Sequence, residues 1–135
     1  MELFSTRINY NELNPRQKEI YNYQKVSGIL ADYGFTTIKL SDDWMGADFI
    51  AIEFTGEKYL KIQLKGRLTF DKKYLGKDIY ICFYEKNWYI YPHDTLLEEF
   101  INEIDGSKSW VDKGNYHYPY LTEKYQNRLS KFRIL

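Results

Sequence analysis

The sequence predicts an α+β domain, and three observations lead there. A capped segment of helical period comes first, a run of period-two segments separated by turn residues follows, and two more helical patterns close the chain. Asn14-Pro15 supplies an N-cap and a proline at the first helical position, where its missing N–H is harmless. The helix it opens runs to Tyr33 with Gly34 as its stop, and Ile20, Tyr23, Val26, Leu30 and Tyr33 form the predicted buried stripe. After Gly34 the period becomes two. Residues 35–40 read as a strand, 41–43 as a turn, 47–54 as a second strand and 59–66 as a third. Residues 67–77 read as a loop, and 78–84 and 88–91 as two more strands, the last ended by Pro92. Asp94 is placed to cap a helix over 95–104, whose Leu96, Leu97, Phe100, Ile101 and Ile104 share a face, and Gly106 stops it. Residues 107–121 read as loop and 122–132 as a final helix. The expectation is one domain over 1–135, with a mixed, antiparallel-rich sheet of about five strands flanked by helices.

Composition narrows the function. With 44% hydrophobic and 28% charged residues, the chain has the balance of a globular protein rather than a disordered one. Aromatic content reaches 19%, with 14 Tyr, which is a tyrosine-rich core or a stacking surface. Trp88, Tyr89 and Tyr91 along one strand read as packing. The one cysteine, Cys82, excludes an internal disulfide and a cysteine-rich zinc site. No apolar run approaches the ~18 residues of a membrane span, and no apolar leader opens the chain, so a cytoplasmic protein is expected. His93 reads as a turn histidine with a local hydrogen bond, and His117 has no partner at metal-ligand spacing.

Net charge is zero but unevenly spread. Lys58, Lys61, Lys65, Arg67, Lys72, Lys73 and Lys77 stand against Asp71 alone, while Asp42, Asp43, Asp48, Glu53 and Glu57 gather just before them. A basic segment beside an acidic one suits a phosphate track next to a metal site, or a solvated face. Lys61, Arg67, Lys72, Lys73 and Lys77 are the expected nucleic-acid contacts.

The second and third strands form a hairpin. A turn centred on Gly56-Glu57 would set Phe54 opposite Tyr59, Ile50 opposite Gln63 and Asp48 opposite Lys65. Side chains directly opposite share a face, with Cβ atoms roughly 4.5–5.5 Å apart, so Asp48, Gln63 and Lys65 converge near one end. Phosphodiester hydrolysis calls for a divalent cation on hard oxygen ligands. Asp48 offers a carboxylate, Gln63 an amide oxygen and Leu64 a backbone carbonyl, while Lys65 offers a cation to orient water or stabilise phosphate charge.

Gly46-Ala47-Asp48-Phe49-Ile50-Ala51 followed by Lys61-Ile62-Gln63-Leu64-Lys65-Gly66 resembles the PD-(D/E)XK nuclease superfamily, in the QxK variant of certain restriction and homing endonucleases. The resemblance covers residues 14–66. It implies a restriction-endonuclease-like core and Mg²⁺- or Mn²⁺-dependent cleavage of DNA. Asp48 and Gln63 would lie near the metal and Lys65 would be catalytic. Family members often add a glutamate from the first helix, and Glu19 is its natural counterpart, with Glu12 the alternative. Gln63 stands where a carboxylate is usual, and residues 67–77 are short for the family's crossover helix. Double-strand cutting by so small a domain favours a homodimer. The alternatives are a nuclease-like module that grips DNA or a protein without cutting, and a defence- or mobile-element-associated interaction protein whose hairpin is purely structural.

Overall fold

Asn14 opens the first helix as its chemistry demands. In the computed structural model, which describes residues 2–44 and 46–135, its side chain accepts from the Gln17 N–H, and Gln17 returns the bond to the Asn14 N–H. This helix, α1 (Pro15–Asp32), ends before Gly34, whose φ of 84° makes the left-handed exit. Its predicted stripe is only partly used. Val26 and Leu30 are buried and Tyr23 half-buried, but Ile20 and Tyr33 are exposed. Ile20 instead lines a cavity between α1 and the Lys39–Asp42 stretch of the first strand.

The strands are β1 (Phe35–Trp44), β2 (Ala47–Glu53), β3 (Tyr59–Leu64), β4 (Thr69–Asp71), β5 (Ile79–Glu85), β6 (Asn87–Pro92), β7 (Asn115–His117) and β8 (Arg133–Ile134). Six of them form one sheet in the order β1-β2-β3-β5-β6-β8, antiparallel except for the β3–β5 pair. The mixed α+β architecture thus agrees with expectation, but several boundaries do not. The turn expected at 41–43 is strand, carried through an irregularity between Lys39 and Trp44; the side chains of Asp43 and Trp44 lie outside the described ones, so Asp43's place in the acidic group does too. The loop expected at 67–77 contains β4 and a 3₁₀ turn, Lys72–Tyr74, because Leu68, Phe70 and Tyr74 are core residues. The loop expected at 107–121 contains α3 (Lys108–Lys113) and β7, which pairs with β4 in a separate two-stranded sheet. Ser107 caps α3 and Gly114, at φ 73°, ends it. The last helix is shorter than expected: α4 (Glu123–Arg128) gives way to a 3₁₀ turn and then to β8 on the sheet edge.

The sheet is covered on both faces, which explains the near-continuous apolar run of β5. On one face α1 packs through Val26 and Leu30 on Phe49, Ala51, Ile62, Cys82 and Ile90. On the other, Ile81, Phe83, Tyr89 and Tyr91 meet Leu96 and Phe100 of α2 (His93–Ile104), together with Phe70, Tyr74, Trp110 and Leu129. The expected Asp94 cap is replaced. Pro92 occupies the N-cap of α2, and the Asp94 carboxylate instead accepts from the Gly76 N–H and faces His93 Nδ1 at 2.8 Å. His93 is fully buried, its Nε2 accepting from the Asp71 N–H, so Nδ1 carries the proton toward Asp94. This pair ties the 71–76 segment to the start of α2. No helix among the described residues is long and apolar enough to cross a membrane.

Candidate active site

The β2–β3 hairpin has a register two residues away from the expected one. Phe49 pairs with Ile62, Ile50 with Lys61 and Ile52 with Tyr59. The cause lies in the turn. Glu53 and Lys58 close the loop through a 2.9 Å backbone bond, and Gly56, at φ 77°, makes its left-handed step. Phe54 leaves the ladder because its N–H donates to the Gly34 carbonyl at 2.7 Å, with its ring packed on Gly34. A one-residue slip would have reversed every side chain, whereas a slip of two preserves the alternation. Continued past Phe49 and Ile62, this register sets Asp48 beside Gln63 rather than opposite Lys65.

At that end the backbone ladder is replaced by a side chain. The Leu64 N–H donates to Asp48 Oδ2 at 2.8 Å, and the Lys65 N–H donates to the Cys82 carbonyl at 2.8 Å. Consecutive N–H groups of β3 are thereby held from both neighbours, which fixes the Leu64 carbonyl and the start of the Lys65 side chain. The Lys65 ammonium stands 5.6 Å from the ring centre of the buried Tyr74. Tyr74 also crowds Gly46, where an added Cβ would meet its ring at 3.2 Å, so Gly46 lets the chain enter β2 close to this ring.

Asp48, Gln63, Leu64 and Lys65 line one cleft of about 1020 Å³, and Glu19 of α1 lines it with them. Glu19 and Asp48 also line a smaller adjoining cavity, where Lys39 approaches Glu19 at 4.0 Å. Glu12 does not line the cleft; it closes a capping box on Asn9. The amide of Gln63 is the feature that stands out. Its Oε1 is buried without a hydrogen-bond partner among the described residues, and its Nε2 reaches the Leu64 carbonyl only at 3.5 Å. A buried acceptor left unmet costs about 1–3 kcal/mol. An oxygen-binding cation would meet it, and the donors near it are a carboxylate, an amide and a carbonyl, all hard oxygen ligands suited to Mg²⁺ or Mn²⁺. Three or more His, Cys, Asp or Glu side chains placed to share a metal do not occur among the described residues. Any ion here would therefore depend on the neutral oxygens of Gln63 and Leu64.

The expected phosphate contacts separate from this cleft. None of Lys61, Arg67, Lys72, Lys73 and Lys77 lines it. The Lys61 ammonium donates to the Lys77 carbonyl, and Lys72 extends over the Trp110 ring. Lys73 pairs with Asp71 at 3.9 Å. His117 Nδ1 lies 2.9 Å from Thr69 Oγ1. Partial burial lowers the His117 pKa, and Arg67, Lys65 and Lys73 press it the same way against the opposing Asp71. The cleft has cations that the sequence reading passed over, Lys18 and Lys25 of α1, and aromatic neighbours in Tyr10, Tyr21, Tyr84 and Trp88. Lys18 and Lys25 lie on the face of α1 next to the predicted stripe, but that α1 lines this cleft is visible only in three dimensions. Tyr89 and Tyr91 are core residues, as expected of them.

No protein-family model and no curated protein matches the sequence. Among solved structures the chain is similar to a bacterial homing endonuclease, with 18% identity, 89% of this chain and 86% of the other covered, and a TM-score of 0.49. So distant a likeness leaves the function to be argued from the side chains.

Proposed function

We propose that this protein is a metal-dependent nuclease that hydrolyses phosphodiester bonds in DNA. The observation that carries the reading is the grouping of Asp48, Gln63, Leu64, Lys65 and Glu19 on one cleft, with the Gln63 amide oxygen buried and unmet. Asp48, the Gln63 Oε1, the Leu64 carbonyl and Glu19 would hold Mg²⁺ or Mn²⁺. When bound, the cation supplies positive charge that polarises the phosphoryl group. Lys65 lines the same cleft and would supply an ammonium that stabilises negative charge developing on the phosphate and orients the attacking water. Asp48 has a second task, since its bond to the Leu64 N–H holds β2 and β3 at the separation the site needs. Arg67 and Lys73, whose charges act on His117 together with that of Lys65, would contribute phosphate contacts outside the cleft.

The test is plasmid cleavage by the purified chain with Mg²⁺ or Mn²⁺, beside Lys65→Ala, Asp48→Asn and an EDTA control. Loss of cleavage in all three is expected. Nicking that persists in Lys65→Ala would overturn the assignment. A second reading has a specific observation in its favour: Gln63 stands where a third anionic ligand would serve best, so a chain that grips DNA without cutting it fits the same cleft. It predicts salt-sensitive DNA binding, weakened by removing Arg67 and Lys73, with no cleavage in either metal.

A further inference from the structure

The side of the cleft away from Asp48 has no task in that chemistry, yet it is built from large aromatic rings and lysines. Tyr84 of β5 and Trp88 of β6 meet across the tip of the β5–β6 hairpin with ring centres 5.1 Å apart and planes tilted by 53°. Tyr84 keeps 53% of its surface exposed in the cleft, and no cation covers either ring among the described residues. The rest of the lining comes from α1 and from Tyr10 before it. There the Lys18 ammonium stands 5.3 Å from the Tyr10 ring centre and that of Lys25 stands 5.4 Å from Tyr21, while Asn22 bonds the Tyr10 hydroxyl at 2.9 Å. These cation–π contacts hold two charges over the cleft rather than letting them trail in solvent. With Lys65 they outnumber Glu19 and Asp48 among the charges lining it.

We infer that this half of the cleft binds an unpaired nucleotide, its base stacked on Tyr84 and Trp88 and its flanking phosphates on Lys18 and Lys25. Stacking on a protein ring requires a base whose face is open, and a base inside a continuous duplex has both faces taken. Every base offers a π-face, so the site is indifferent to sequence and selects for single-strandedness. The cleft volume of about 1020 Å³ suits one or a few nucleotides. The inference rests on the nuclease reading only for where the strand leads, toward Asp48 and Lys65. It names the substrate class: single-stranded, gapped or frayed ends rather than intact duplex.

The experiment is fluorescence anisotropy of a labelled oligothymidylate and of a duplex of equal length, in EDTA so that no cutting intervenes. Tighter binding of the single strand is expected, with a loss of roughly fivefold or more in Tyr84→Ala and near-full retention in Tyr84→Phe, which keeps the ring. The Lys18→Ala/Lys25→Ala protein should bind both probes more weakly and with a flatter salt dependence. Duplex binding equal to or tighter than single strand, or an unchanged Tyr84→Ala, overturns the inference. The two readings fail separately. Single-strand binding that depends on Tyr84 but comes with no cleavage in either metal ends the nuclease reading alone, whereas duplex cleavage indifferent to Tyr84→Ala ends this one alone.

Discussion

Gln63 carries the observation on which the proposed metal site rests. Its Oε1 is buried with nothing among the described residues to meet it, a cost of about 1–3 kcal/mol that a ligand could offset. Gln63→Glu makes the point testable. Without metal, the new carboxylate sits buried near Asp48 and should lower stability by about 1–3 kcal/mol. Mn²⁺ should then raise the melting temperature of the variant more than that of the parent, and equal shifts in the two would remove Gln63 from the metal site. His117 reports on the basic patch. Partial burial lowers its pKa, with Arg67, Lys65 and Lys73 adding to the effect. The unfolded chain thus takes up the proton more readily, so stability falls as pH drops through the ordinary histidine range. A phosphate docked among these cations reverses part of their field, and an NMR titration should show the His117 pKa rising when DNA is added. No change would place the phosphate elsewhere.

At the scale of elements, the hairpin shows what pattern alone can and cannot settle. Alternation put Asp48, Gln63 and Lys65 in one neighbourhood, and the cleft brings them together. The partner of each residue depended on Phe54, whose N–H is taken by the Gly34 carbonyl from the end of α1. That bond joins residues far apart in sequence, so local turn chemistry could not have found it. The chain end is secured in a similar way. Arg128 of α4 reaches Glu103 of α2 at 2.6 Å, and the Tyr125 hydroxyl donates to the same carboxylate at 3.0 Å. Burial on its own would raise the Glu103 pKa, but these hydrogen bonds outweigh it and hold the carboxyl below its usual value. The contribution is therefore complete above the ordinary glutamate pKa and lost as pH falls through the lowered one. Amide protection across 123–128, taken relative to the intrinsic exchange rate at each pH, should fall on acidification in the parent, while Glu103→Gln should be less protected already at neutral pH and respond less to acid.

For the molecule as a whole, one sheet serves two cores, so damage to either should be felt by both. Leu129, fully buried against the α2 side, tests this. Leu129→Ala should cost about 2–5 kcal/mol, seen as a lower urea midpoint with one transition still shared by fluorescence and circular dichroism. Two separate transitions would show the cores to be independent. The sequence by itself determined the capped first helix, the strand segments, the apolar face of α2 and the grouping of Asp48, Gln63 and Lys65, because each rests on period or on capping chemistry within a few residues. Only the tertiary structure decided the rest. Residues 67–77 and 107–121 carry little periodicity, and β4 and β7 exist because each supplies the other's backbone partners. The same holds for β8, a two-residue strand paired with β6. Asp48, Gln63 and Lys65, which local pattern grouped, lie in a cleft only because α1 supplies the rest of its lining through Lys18, Glu19 and Lys25. Contacts between distant segments set that lining, and no window of sequence contains them.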